Sequence, residues 1–400
     1  MDKLHLGVLY GSRSCEHEVS IISALQLIKA IDRSKYEVTP IYITQQGEWY
    51  VGDALTDMKL YTDFDPYKAG LKRVSLDLTA GSGALIHYEQ GKGLLRGIRE
   101  EIVARIDCFI PVFHGLHGED GSVQGLLELA NIPYPSTGIV GSAVGMDKII
   151  MKRFFRGMGY PVLDGVDCLR KRWQEAPDTM ISEIEAALPY PVFVKPACLG
   201  SSIGVSRADD QKALRDALEL AFSYDRRVLV EQGLDKPVEI NCSVLGYDGD
   251  TETSVLEMPL TDVGTLDFDT KYLHGSSSAK GMASMGRVLE PEIGEDVSSE
   301  IRSLAVSIFN ALDCKGVVRI DFMIDRATGH IYITEINTIP GSMAYYLWAK
   351  KGVSYSALID RMVGCAVKAQ REKDENRFAF RSNILTNVQL GGKTPKGGKL

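Results

Sequence analysis

The chain has 400 residues, 44% hydrophobic and 24% charged, an ordinary balance for a soluble protein and too long for one hydrophobic core. Its 45 basic and 53 acidic residues leave a net charge of −8, which argues against a nucleic-acid surface built from bulk positive charge but leaves room for a local basic pocket. No apolar run approaches the ~20 residues that span a bilayer, so neither nucleic acid nor a membrane is expected as a partner.

The start, MDKLHLGVLYG, enters a strand-like run at once and lacks the apolar core and small-residue cleavage site of a signal peptide. Seven cysteines at 15, 108, 168, 198, 242, 314 and 365 form no CxxC. They read as free thiols in a reducing cytosol, and a cytoplasmic location is expected.

Strand LGVLY (6–10), the polar turn GSRSCEHE, a helix near 18–31 and strand YEVTPIYIT (36–44) give a β–loop–α–β order. That order predicts a parallel α/β layer. Residues 51–105 are rich in turn formers and charges and read as irregular or hairpin structure. A buried strand, CFIPVF (108–113), runs into HGLHGEDG (114–121) and then the helix VQGLLELANI. A first boundary falls near 138.

A helix is predicted around 146–159, with Lys148 at its start; Pro161 and Pro177 punctuate the next stretch. The run 190–208 reads as strand, glycine–serine loop, strand, and apolar residues at 214, 217, 218, 221 and 222 have helical spacing. Strands RVLVEQGL, VEINCSVLGY and TSVLEMPL come next, then a Gly/Ser/Ala/Met-rich stretch, 274–286. A helix fits 298–312, a strand pair 317–325 and 332–342, and a last helix 353–370. The Gly/Lys-rich end reads as a mobile tail. The expected domains are 1–138, 139–225 and 226–372, with a tail at 373–400.

The strand pair VVRIDFMID and YITEINTIPGS carries the most chemistry. Side chains two apart on a strand share a face. Arg319 and Asp321 therefore project together, as do Glu335 and Asn337. Two carboxylates, an amide and a guanidinium on rigid strands suit a Mg²⁺ site that handles phosphates. They also suit an ordinary hairpin with a solvated face. For Asp321 to face Glu335, the 325–331 turn needs an odd loop, such as a bulged three- or five-residue turn. After this pair, Pro340 and Gly341 form a turn whose backbone N–H could serve as an oxyanion donor.

In KPACLGSSIG, Lys195 ends a strand, and after it come glycines and serines that could close over a triphosphate or simply turn a hairpin. Glu231 ends an apolar strand suited to an adenine edge, or is a solvated acid. Lys271 and Tyr272 precede the Gly/Ser stretch and could belong to a lid. Glu16 and His17 lie at a strand-to-helix turn. The H-x₂-H of HGLHGEDG lacks the further ligands of a zinc site.

Taken in order, GSRSCEHEVS, HGLHGEDG, MDK, VKPACLGSSIG, VEQGL, DTKYL, RIDFMID and EINTIPG resemble the D-alanine–D-alanine ligases of the ATP-grasp superfamily, from about residue 4 to 370. The resemblance implies an α/β chain, α+β in its ATP-binding part. The implied architecture is a three-domain ATP-grasp fold with a Rossmann-like N-terminal domain. It implies that Lys148, Lys195, Ser202, Glu231, Gln232, Leu234, Glu239 and Lys271 bind ATP. It implies that Asp321, Glu335 and Asn337 hold two Mg²⁺ (or Mn²⁺) ions. Glu16, Ser201 and Tyr272 would orient the first D-alanine and tie the lid. His114 would lie by the substrates, and Arg319 and the Gly341 N–H would hold the oxyanion. A homodimer is also implied.

The implied chemistry activates the first D-alanine as an acyl phosphate, which the amine of a second D-alanine attacks. One departure stands out. Where the family pattern places a serine for the second substrate's carboxylate, this chain has Tyr346, with Ser342 nearby. That opens the related readings of a D-alanine–D-serine or D-alanine–D-lactate ligase, or another carboxylate–amine ligase.

Overall fold

The computed structural model describes residues 3–90, 97–260 and 286–378. Lys271, Tyr272, nearly all of the 274–286 stretch and the end of the tail lie outside these residues.

The N-terminal part is built on strands β1 (Leu4–Gly11), β2 (Tyr36–Ile43), β3 (Trp49–Val51), β4 (Lys72–Leu76), β5 (Ala84–Gln90), β6 (Ile98–Arg105) and β7 (Cys108–Pro111). Helix α1 (His17–Ala30) crosses from β1 to β2, and α2 (Ser122–Ala130) comes after β7. Among the described residues these strands form one sheet in the order β6-β5-β4-β3-β2-β1-β7. β1 pairs in parallel with β2 and β7, as the β–α–β order predicts. The segment 51–105 turns out to be an antiparallel meander of β3 to β6 with two short 3₁₀ turns. Its alternation is faint because β6 is exposed along most of its length.

Next come α3 (Ile139–Met146) and α4 (Lys148–Gly157). The helix expected over 146–159 is α4. Asp147, with an extended backbone, separates it from α3 and caps it by accepting the Ile149 and Ile150 N–H groups at 3.1 Å. Lys148 is the first residue of α4. Residues 160–190 contain β8 (Gly165–Leu169), α5 (Arg170–Glu175) and α6 (Pro177–Ala187), which the sequence pattern does not announce. Strands β9 (Val192–Pro196), β10 (Ser206–Ala208) and, after α7 (Gln211–Tyr224), β11 (Arg227–Gln232) complete an antiparallel sheet ordered β10-β9-β11-β8.

A third, antiparallel sheet holds β12 (Val238–Tyr247), β13 (Asp250–Pro259), β14 (Arg287–Leu289) and, after α8 (Glu295–Ala311), β15 (Gly316–Ile324) and β16 (Ile331–Asn337). Its order is β14-β13-β12-β15-β16. Helices α9 (Tyr345–Lys350) and α10 (Tyr355–Asp374) close the described chain.

Alternation divides this third sheet. Ile240, Cys242, Val244, Val318, Ile320, Phe322, Ile333 and Ile336 pack against α8 and α4. The intervening side chains face the other way, toward the site. A separate buried cluster joins β1 and α1 to Leu245, Val317, Trp348 and Met362. The first and third sheets are thus fixed to one another by shared apolar burial.

Candidate active site

Register places the polar residues of the third sheet in one row. Glu257 opposes Asn241, Asn241 opposes Asp321, and Asp321 opposes Glu335. The odd loop expected between β15 and β16 is not how this facing arises. Ile324 pairs with Ile331, so six residues, an even number, separate the paired ends. The register then shifts by one between Asp321 and Phe322, leaving Thr334 as the extra residue of a bulge. The bulge brings Glu335 round to face Asp321. Thr334 secures it by donating its hydroxyl to the Asp321 carbonyl at 2.8 Å.

Arg319 grips Asp321 with two N–H groups, Nε to Oδ1 and a terminal nitrogen to Oδ2, both at 2.7 Å. Asn337 donates to Asp321 Oδ2 at 3.1 Å. Burial pushes the Asp321 carboxyl up, against the pull of Arg319, while Glu335 and Glu257 add to the upward push. Two carboxylates and an amide, all oxygen donors, fit a hard divalent cation. In this structure the Arg319 guanidinium supplies positive charge to Asp321.

The second sheet contributes a buried carboxylate held by two lysines. Glu231 on β11 is 1% exposed. Its two oxygens meet Lys152 Nζ and Lys195 Nζ, each at 2.6 Å. Burial works against the Glu231 charge, yet the two ammonium groups hold its carboxyl down at about 2. Burial opposes the Lys195 charge as well, but Glu231, Glu335 and Glu239 more than compensate. The nucleotide-side lysine and the acidic row therefore lie within electrostatic reach of each other. Lys152 was missed in the sequence. The available signal was a lysine on the buried stripe Ile149, Lys152, Phe155 of α4.

Lys148 donates its ammonium to the Leu199 carbonyl, so it braces the glycine–serine loop. Ser201 and Ser202 in that loop have left-handed backbones, φ +51° and +58°. The Ser201 hydroxyl donates to the Glu16 carboxylate. Glu16 sits between two glycines. A Cβ on Gly115 would lie 2.3 Å from Glu16 Oε2, and one on Gly200 2.7 Å. Gln232 ends β11 with its N–H on the Asp164 carbonyl at 2.9 Å, and Leu234 is 9% exposed just beyond. Glu239 opposes Met323 on the site-facing side of β12.

The loop after β16 is stitched to the N-terminal part. His114 Nδ1 donates to the Ile339 carbonyl at 3.0 Å, which leaves Nε2 to accept from Ser23 Oγ at 2.9 Å. Ser23 Oγ in turn accepts the Ser342 N–H at 3.2 Å. Burial pushes the His114 imidazole down to about 4, so the ring is neutral and both nitrogens are engaged. Glu119, an acid of HGLHGEDG to which the sequence assigned no role, accepts N–H groups from Gly115 at 3.0 Å and Ile339 at 2.9 Å. Burial, then the Glu16 charge, push its carboxyl up to about 8.

Beyond Gly341, Ser342, Met343 and Ala344 have φ of +48°, +55° and +48°. Three non-glycine residues in the left-handed region are strained by about 1–2 kcal/mol each. The Met343 N–H closes this turn on the Pro340 carbonyl at 2.8 Å. Ser342 Oγ donates to Gln26 Oε1 at 2.7 Å. Tyr346 donates its hydroxyl to Glu257 Oε2 at 2.8 Å. Both side chains proposed from sequence for the second carboxylate are thus engaged within the protein.

Two antiparallel sheets, one bearing a lysine-bound carboxylate and the other an acidic row with an arginine, define an ATP-grasp protein. Comparison with known proteins makes the assignment narrower. Residues 5–137 match the family model of the D-ala D-ala ligase N-terminus, and residues 154–364 match that of the D-ala D-ala ligase C-terminus. The D-alanine–D-alanine ligase of Thermosipho africanus is 35% identical over 382 residues, covering 96% of this chain and 98% of the relative. That of Ruminiclostridium cellulolyticum is 38% identical over 384 residues, covering 94% and 98%.

Solved structures agree. The D-alanine–D-alanine ligase from Coxiella burnetii superposes with a TM-score of 0.75 at 26% identity, covering 94% of this chain and 97% of that one. The VanG D-Ala:D-Ser ligase from Enterococcus faecalis gives 0.73 at 28% identity, covering 91% and 100%. The chain belongs to the D-alanine–D-alanine ligase family, a family of ATP-dependent ligases acting on small molecules. Among the described residues no helix is long and apolar enough to cross a membrane.

Proposed function

We propose that this chain joins two D-alanines into D-alanyl-D-alanine for peptidoglycan precursor synthesis, using ATP and passing through an acyl phosphate. The observation that carries the reading is the register of Asp321 opposite Glu335, with Arg319 bonded to Asp321 and Lys195 within the field of Glu335. The nucleotide would lie between the second and third sheets. Lys148, Lys195, Ser202 and Lys271 would serve its phosphates, and Glu231, Gln232, Leu234 and Glu239 its base and ribose.

Asp321, Glu335 and Asn337 would hold two Mg²⁺ or Mn²⁺ ions. The ions would supply charge to offset that of the phosphoryl group in flight. Glu16, tied to Ser201, would receive the ammonium of the first D-alanine, with Tyr272 completing that set. One carboxylate oxygen of the D-alanine attacks the γ-phosphorus and ADP leaves. The second D-alanine's amine then attacks the acyl carbon. Arg319 and the Gly341 N–H would hold the oxyanion, each such donor being worth about 3–4 kcal/mol. The C–O bond breaks, phosphate departs, and the amine loses a proton.

His114 has both ring nitrogens engaged and serves this scheme as a positioning residue for the Ile339–Ser342 turn. The divisions at 138, 225 and 372, a homodimer and a cytoplasmic location complete the proposal. Phosphate release from ATP with Mg²⁺ and D-alanine alone is the test. Release only after D-serine or D-lactate is added would replace the substrate assignment. The D-serine alternative is kept because Tyr346 stands where the family pattern has a serine, and because VanG, a neighbour in structure, is a D-Ala:D-Ser ligase.

A further inference from the structure

Helix α1 carries two buried serines, Ser20 and Ser23, at 0% and 1% exposure, where a helix interior ordinarily packs apolar side chains. Ser20 seats the helix: its hydroxyl donates to the Val112 carbonyl and accepts the Gly11 N–H at 2.8 Å. Ser23 serves the loop after β16. Its oxygen accepts the Ser342 N–H at 3.2 Å, while its proton goes to His114 Nε2. One turn further along the helix, Gln26 accepts from the Ser342 hydroxyl at 2.7 Å. Both donors of Ser342, the residue after Gly341, thus end on α1. Ile339 and Met343 of the same loop are buried in one cluster with Ala24, Leu27 and Ile28 of that helix.

These bonds hold a turn that would not keep its shape unaided. Ser342, Met343 and Ala344 all stand in left-handed backbone with no glycine among them, a state that persists only where the surroundings over-determine it. We infer that Ser23 and Gln26 are positioning residues for the second half-reaction: they fix the turn that presents the Gly341 N–H to the oxyanion. The inference rests on the ligase reading. In that reading α1 serves both ends of the first amino acid. Glu16, the residue that opens the helix, receives its ammonium. Ser23 stands seven residues on, two turns along the same face and about 10 Å away. The helix therefore sets the separation between the group that holds the first D-alanine and the donor that meets the oxygen on its acyl carbon. The phosphoryl step draws on the acidic row and the lysines, and does not use this tie.

Single-turnover rapid quench with labelled ATP, Mg²⁺ and saturating D-alanine separates the two steps. ADP reports the phosphoryl transfer, and D-alanyl-D-alanine reports the amine attack. Gln26→Met keeps the side chain's length and removes the acceptor. In this variant dipeptide formation should slow about tenfold while ADP appears at the wild-type rate. Ser23→Ala takes the partner from both the Ser342 N–H and His114 Nε2, and should slow dipeptide formation on the order of a hundredfold. Gln26→Glu keeps an accepting oxygen and should restore the wild-type ratio of the two rates. Gln26 is half-buried, so its variants carry the test if the Ser23 variant does not fold. ADP and dipeptide slowing in equal proportion, or neither slowing in Gln26→Met, would overturn the inference. A wild type that forms neither ADP nor dipeptide would instead contradict the ligase reading itself.

Discussion

Asp321 and Glu335 face each other because Thr334 is a bulge, and the pairing is therefore a property of β16 itself. The hairpin turn has the wrong parity to supply it. The bulge residue is bonded to the backbone of the carboxylate it serves. Thr334→Val keeps the shape and removes that bond. A loss of about 1 kcal/mol in stability is expected, with a larger relative loss in phosphate release. Urea unfolding and steady-state kinetics on one preparation would check both.

Lys152 should matter more than any exposed lysine. Replacing it with Met leaves the buried Glu231 facing Lys195 alone. Breaking such a pair costs about 3–5 kcal/mol. The apparent KM for ATP should also rise, because Lys195 is drawn toward Glu231. Thermal unfolding with and without ATP measures the two effects.

The pH dependence at His114 has a definite sign. Its folded pKa is depressed to about 4 from an ordinary value near 6.5. Between these values the unfolded chain binds the extra proton. Stability from keeping the ring neutral is present above about pH 6.5 and is lost as pH falls toward 4, by about 3 kcal/mol. In His114→Asn that part of the slope should vanish. The wild-type rate profile should show no limb near 6.5 that His114→Asn removes.

Gly115→Ala tests the seat of Glu16. The backbone there has φ +72°, and the new methyl would meet Glu16 Oε2 at 2.3 Å. A displacement near 1 Å at a substrate-orienting group costs on the order of a hundredfold in rate. The expected signature is lost turnover at D-alanine levels that saturate the wild type, with ATP binding retained by calorimetry.

Much of this architecture is legible in the residues. The β–α–β opening, the strands around 195, 231, 320 and 335, and Lys148 at a helix start come from periodicity and order. Even the bulge left a trace. Apolar residues fall at 331, 333 and then 336, a one-residue slip in alternation. Lys152 and Glu257 were signalled by charge at buried positions of α4 and β13.

Other features have no local signature. His114 and Ile339 meet across 225 positions, and Glu119 and Ile339 across 220; only tertiary packing brings them together. The left-handed turn at 342–344 contains no glycine to announce it. Residues 160–190 form two helices and a strand whose patterns are short and broken by Pro161 and Pro177.

The acidic row is proposed to run the phosphoryl step, and Glu335→Gln probes it directly. The substitution keeps size and hydrogen-bonding capacity while removing one charge. With ATP, Mg²⁺ and D-alanine, phosphate release should fall by several kcal/mol of barrier, at least about a thousandfold, with an unchanged unfolding midpoint. Phosphate release at the wild-type rate from the folded variant would show that the acidic row does not carry that step.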